Sequence, residues 1–173
     1  PTAFFCNELQ YAAKCDDTIV VAPDAGSSKL VMETARRLGL TSAVGVKYRP
    51  KPEKVVTTDI IGDFEGKKAA IIIDDIISSA GTVKGLIEKL VEEKGIEEIH
   101  MLVSHNLCTD RARETLIRLH EDFHLKSVLV TDSIPQTGDF TGHSFFSVRS
   151  LTDVLTRTVN RIHYNRSISE LFI

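Results

Sequence analysis

Short apolar runs that stop at polar residues set the rhythm of this chain. Four share one design: TIVVAPD ending at Asp24, AAIIIDD ending at Asp75, IHMLVSH ending at His105 and SVLVTDS ending at Ser133. Each is rich in Val and Ile and nearly continuous rather than alternating, the pattern of strands covered on both faces of a parallel sheet. SAVGVKYR and SFFSVRS are weaker strand candidates. Helical periods fill the intervals. After Thr82, read as an N-cap, Val83, Leu86, Ile87, Leu90 and Val91 recur at helical spacing, with Gly95 as a stop. SSKLVMETARRLG has a serine start and ends at Gly39, and Thr109 to about Leu119 forms a third helix. A fourth opens at Ser150 with Asp153 at capping-box spacing and carries Leu151, Val154, Leu155, Thr158, Val159 and Ile162 on one face.

Strands alternating with helices predict an α/β fold: a doubly wound, mostly parallel sheet with helices on both faces. Ligands of such sheets bind outside the carboxyl ends of the strands, where Asp24, Asp74, Asp75, His105 and Asp132 are expected to gather. At 173 residues the chain predicts one compact domain over 1–173. It opens on Pro1 rather than methionine, as expected of a piece of a longer protein.

Composition narrows the class. Hydrophobic residues make up 42% and charged ones 26%, with a formal net charge of -3, which fits a globular chain and not a disordered one. No basic excess exists to neutralise nucleic-acid phosphates, so no nucleic-acid partner is expected. No apolar run approaches bilayer length and no signal pattern opens the chain, so no membrane partner is expected and a cytoplasmic location is. The three cysteines, Cys6, Cys15 and Cys108, lack CxxC or zinc-ribbon spacing and read as buried reduced thiols.

The chemistry concentrates in AIIIDDIISSAGT. Small residues let a backbone turn bring its N–H groups to an anion, and a helix start adds partial positive charge. Two neighbouring carboxylates accept hydrogen bonds from vicinal hydroxyls, or hold a magnesium ion through one carboxylate and water. Together they describe a sugar phosphate with its ring over Asp74 and Asp75 and its phosphate on residues 78 to 82. KYRPKPEK adds Lys47, Arg49, Lys51 and Lys54 on a proline-stiffened segment suited to a lid over phosphoryl groups. HEDFH, His120 to His124, is formally the HExxH of a zinc metalloprotease, with Glu121 as base. No third ligand stands at useful spacing, and the segment ends its helix just before a strand.

The run AIIIDDIISSAGT resembles the phosphoribosyl-diphosphate (PRPP) signature of the type I phosphoribosyltransferase fold. VVAPDAGSSK, KYRPKPEKVVTTDIIGDFEGK, VTDSIP and RIHYNRSISELF resemble further stretches of one branch, the ribose-phosphate pyrophosphokinases or PRPP synthetases, so that the likeness spans nearly the whole chain. The resemblance implies the carboxyl-terminal half of a two-domain enzyme that transfers diphosphate from MgATP to the C1 hydroxyl of ribose 5-phosphate, forming PRPP and AMP. Asp74 and Asp75 would take the ribose hydroxyls, and Ser78, Ser79, Gly81 and Thr82 the 5-phosphate. Asp24, Gly26 and Ser27 would lie on the diphosphate side, with Asp24 as a ligand of the Mg2+ cofactor, and Lys47 and Arg49 would act in catalysis. Ser78 departs from the family's usual aspartate. The resemblance also implies a missing amino-terminal domain, dimers stacked into hexamers, and an allosteric site near Ser167, Ile168, Ser169 and Phe172. Two rival readings keep the fold: a non-catalytic regulatory relative, favoured by Ser78, and a phosphoribosyltransferase, which would need a hood over a base that the sequence does not offer.

Overall fold

A computed structural model describes residues 16–51 and 54–171, with the side chains of 48–58 and 170 left aside. Seven strands form one sheet: β1 (Thr18–Ala22), β2 (Thr41–Lys51), β3 (Lys54–Ile61), β4 (Ala69–Ile77), β5 (Glu98–Asn106), β6 (Leu125–Thr131) and β7 (Phe146–Arg149). Their order is β3-β2-β1-β4-β5-β6-β7, with every neighbouring pair parallel except β2 and β3. Among the described residues five α-helices accompany them: α1 (Ser28–Leu38), α2 (Gly81–Glu92), α3 (Asp110–Asp122), the single turn α4 (Gly138–Thr141) and α5 (Thr152–His163).

The continuous apolar runs are buried because helices cover both faces. Along β4, Ile71 and Ile73 join Val31 and Ala35 of α1, while Ala70 and Ile72 join Leu86 and Leu90 of α2 and Leu116 and Leu119 of α3. Strand alternation divides the two clusters. Each fully buried isoleucine or leucine contributes about 1.5–3 kcal/mol relative to an exposed one. The doubly wound fold expected from the sequence is therefore the one observed.

Two local expectations are corrected, and two further features stand beside them. The segment 54–61, for which the sequence pattern set no strand expectation, forms the antiparallel edge strand β3, whose pairing with β2 shifts register near Lys47 and again before Lys51. The helix expected to start with Thr82 as N-cap starts at Gly81, after Ala80 in the left-handed conformation (φ 56°), so Thr82 lies inside the first turn. Ser150 and Asp153 form no reciprocal box; Asp132 accepts from the Ser150 hydroxyl (2.6 Å) and the Leu151 N–H (2.8 Å), while Asp153 pairs with Arg157. The apolar stripe of α5 is present but largely open: Val154 and Thr158 are half-buried, no residue of the helix is fully buried, and Leu155, Val159 and Ile162 are each more than half exposed. Among the described residues no helix is long and apolar enough to cross a membrane.

Candidate active site

The strand order reverses between β1 and β4, whose connections leave in opposite directions and open a crevice at their carboxyl ends. A cleft of ≈ 330 Å³ lies there. Asp24, Gly26 and Ser27 enter it after β1, Lys47 from β2, Asp74 and Asp75 from β4, and residues 78 to 83 from the turn into α2. Register explains the convergence: Val21 pairs with Ile72, so the residues that follow each strand leave side by side.

The three carboxylates are not equivalent. β4 does not stop at the aspartates but runs on to Ile77, so alternation gives Asp74 a part-buried place and leaves Asp75 exposed. Burial pushes the Asp74 carboxyl up to about 6, and the charges of Asp75 and Asp24 push the same way. The Asp75 N–H, donating to Asp74 Oδ1 at 3.0 Å, offsets part of that rise. Ser27 also tempers it, although its buried hydroxyl makes no hydrogen bond of ordinary geometry. Asp24 differs. Burial acts to raise it, but the Lys47 ammonium and the N–H groups of Gly26 and Ser27 outweigh that and hold it below its ordinary value. The Gly26 N–H donates to Asp24 Oδ1 at 2.7 Å, and a Cβ at position 26 would sit 2.9 Å from that oxygen. A Cβ at Gly45 would meet the Pro23 carbonyl at 2.7 Å, so a glycine there lets β2 run close enough for Lys47 to reach.

The turn after β4 supplies the opposite polarity. Ser78 and Gly81 are exposed, Ser79 and Thr82 half-buried, and Ala80 buried. The first N–H groups of α2 have no partner within the helix, and its dipole favours an anion at this end. Carboxylates that accept hydroxyls therefore stand beside amides that accept an anion, as a sugar phosphate requires. No group of three or more His, Cys, Asp or Glu side chains converges as a metal cage among the described residues. The donor set does fit magnesium, which takes one or two carboxylates and completes its shell with water and substrate oxygens.

Residues 46–173 match the phosphoribosyl synthetase-associated domain family. The chain belongs to that family. The ribose-phosphate pyrophosphokinase of Rhodopirellula baltica is 36% identical over 157 residues, covering 91% of this chain and 48% of the relative. That of Aquifex aeolicus is 34% identical over 157 residues, with the same coverages. The chain spans about half the length of the curated relatives it matches. Two solved structures share the fold: phosphoribosylpyrophosphate synthetase from Mycobacterium smegmatis (TM-score 0.73, 24% identity, 95% of this chain and 51% of that one) and adenine phosphoribosyl transferase from Trypanosoma brucei (TM-score 0.52, 13% identity, 87% and 63%).

As a member of the phosphoribosyl synthetase-associated family, the chain brings nearly all its sequence-predicted site residues into one cleft. Asp24, Gly26, Ser27, Lys47, Asp74, Asp75, Ser78, Ser79, Gly81 and Thr82 all line it. The Arg49 side chain lies outside the described residues, as do Phe172, Cys6 and Cys15. Ser167 and Ser169 sit on the tail after α5, where the Ser169 N–H donates to the Ser167 hydroxyl and Arg161 to the Ser167 carbonyl. Two residues expected at the site serve elsewhere: His105 pairs with Ser133 (2.7 Å), and Asp132 holds the start of α5. Cys108 is partly exposed rather than buried.

The zinc protease reading is corrected. α3 ends at Asp122 and His124 has a left-handed backbone (φ 58°), so the two histidines do not share a helical face. His120 Nδ1 lies 2.7 Å from the Leu125 carbonyl, and its ring stacks on Phe145 at 4.4 Å. Ile76, nearly half exposed in the cleft, was missed because it sits in an apolar run that reads as core.

Proposed function

We propose that this chain forms the ribose 5-phosphate and diphosphate side of a ribose-phosphate diphosphokinase, a cytoplasmic enzyme that makes PRPP and AMP from ribose 5-phosphate and MgATP. The observation that carries the reading is the cleft itself, where Asp74 and Asp75 stand next to the amide-rich turn 78–82 at the switch point of the sheet.

In the reaction the C1 hydroxyl oxygen attacks the β-phosphorus of ATP, the bond from that phosphorus to the bridging oxygen of the α-phosphate breaks, AMP leaves, and the hydroxyl proton is released. Asp75 and the ionised Asp74 accept the ribose hydroxyls, and the turn into α2 takes the 5-phosphate through N–H groups and the hydroxyls of Ser78, Ser79 and Thr82. Lys47 lies on the diphosphate side, and its charge suits the anion that builds up on the transferred group. Magnesium, when bound, would neutralise phosphoryl charge; Asp74 or Asp75 would hold it through water, and Asp24, whose oxygens accept from Gly26 and Lys47, would join them once Lys47 turns to the phosphoryl groups.

The relatives are twice as long, and we seat a companion domain of that extra length on the open apolar face of α5. A twelve-residue helix of this kind is marginal in water without a partner. Adenine recognition, assembly into dimers and hexamers, and an allosteric site at residues 167–172 belong to that larger protein. Ser78, where the family usually carries aspartate, favours a regulatory relative as the second reading; the retained Lys47, Asp74 and Asp75 favour the enzyme.

Calorimetric titration with ribose 5-phosphate tests the reading, with PRPP and AMP assayed after MgATP is added. Binding with little turnover by this chain alone supports it. Absence of binding favours the regulatory relative, and brisk turnover would show that no companion domain is required.

A further inference from the structure

Thr109 lies outside the cleft, yet its hydroxyl makes two bonds at once. It accepts from the Ala112 N–H (3.2 Å), capping α3, and donates to the Ser78 carbonyl (2.5 Å) at the start of the turn that leads into α2. Just before it, the Leu107 N–H donates to the Ile77 carbonyl at 3.0 Å. Two successive carbonyls at the mouth of the turn are thus fixed by the segment 107–109. That segment is itself held. Cys108 has a left-handed backbone (φ 54°), and its N–H donates to Oδ1 of the wholly buried Asn106 at 3.3 Å. The Asn106 amide donates to Gln136 Oε1 at 2.8 Å, and Gln136 donates to the Ile134 carbonyl at 2.7 Å.

From this chain of bonds we infer that Thr109 is a positioning residue for the anion-accepting turn. In a trans peptide the C=O and the following N–H point in opposite directions. Holding the Ser78 carbonyl on Thr109 therefore turns the Ser79 N–H away from Thr109, which does not line the cleft, while Ser79 does. The N–H groups of Ser79 and Ala80 find no protein acceptor among the described residues, which leaves them for a ligand oxyanion. Thr109 touches no substrate. It removes the freedom of the peptide that would otherwise be lost on binding, and so acts on affinity for the phosphate and not on that for the sugar hydroxyls. The inference rests on the reading of the cleft as a sugar-phosphate site.

Three variants separate the two bonds. Thr109→Ser keeps both, Thr109→Gly keeps a good N-cap residue but loses the donor, and Thr109→Asp keeps the capping acceptor and also loses the donor. Calorimetry with ribose 5-phosphate and with inorganic phosphate is expected to give wild-type affinity within twofold for Thr109→Ser and about tenfold weaker binding of both for Thr109→Gly, with little change in melting temperature. Without ligand, amide exchange at Ser79 and Ala80 is expected to depart from wild type in Thr109→Gly, which adds no charge, and to stay unchanged in Thr109→Ser, while the melting temperature of Thr109→Asp serves as the control for the cap. Equal affinities and equal exchange in wild type and Thr109→Gly would overturn the role of Thr109 alone. A wild-type chain that binds neither compound would instead overturn the reading of the cleft.

Discussion

Lys47 on β2 pairs with Asp24 beyond β1, inside the cleft that substrate would fill. On the proposed reading the same ammonium faces the transferred phosphoryl groups, and it would trade the carboxylate for phosphoryl oxygens when they bind. The pairing keeps the lysine extended and desolvated in advance, with 16% of its side chain exposed.

Removing that lysine is expected to change the acid limb of stability. Because the folded Asp24 value is lowered, its contribution is present above the ordinary value of 3.8 and lost as pH falls through the folded one. Urea titrations of Lys47→Met should show a loss of up to about 1 kcal/mol at pH 7 that shrinks as pH falls below the ordinary value of 3.8. A pH-independent difference would contradict this.

Asp74 has the opposite sign. Its folded value is raised to about 6, so the native state binds the extra proton between the ordinary value of 3.8 and 6, and stability falls as pH rises through that window. Asp74→Asn should therefore raise the melting temperature above pH 6, by about 2–4 °C for each kcal/mol gained, and leave it unchanged below about pH 4. The same variant should bind ribose 5-phosphate about tenfold more weakly at pH 8, a gain in stability at the expense of function.

Asp75 is exposed and carries no packing role, so Asp75→Asn should shift stability by no more than about 0.5 kcal/mol while weakening ribose 5-phosphate about tenfold. Calorimetry alongside thermal melts checks both halves of the expectation.

The α5 stripe yields a test of the companion domain. Leu155→Glu and Val159→Glu replace side chains 58% and 63% exposed, so the isolated chain should melt within about 2 °C of wild type. When the chain is produced together with the remaining half of the R. baltica relative, both variants should elute without it and wild type with it. Comigration of wild type with itself as a dimer would assign the face to a second copy.

The strands and the cleft were legible because burial on two faces forces near-continuous Val and Ile, and because an acidic pair before a small-residue turn has few purely structural uses. What escaped depended on distance in sequence. Nothing local tells that Asp132 will cap a helix that begins twenty residues later, or that Thr109 will hold the Ser78 carbonyl. Ala80 was unreadable as the residue before α2 because alanine seldom adopts a positive φ. β3 was masked by the lysines and prolines of the segment leading into it, 47–54, which suit a loop as well as an edge hairpin. The openness of the α5 face was not legible because periodicity reports amphipathicity and not whether a cover is present.

The crevice between β1 and β4 draws its walls from positions 24, 47, 74 and 82, which meet only after the sheet is complete. Occupancy therefore reports on the finished architecture, and an occupant stabilises it in proportion to the logarithm of its concentration over its dissociation constant. Were the proposed pentose phosphate that occupant, its scarcity would leave a larger share of molecules open to proteolysis and would couple the lifetime of the protein to ligand supply.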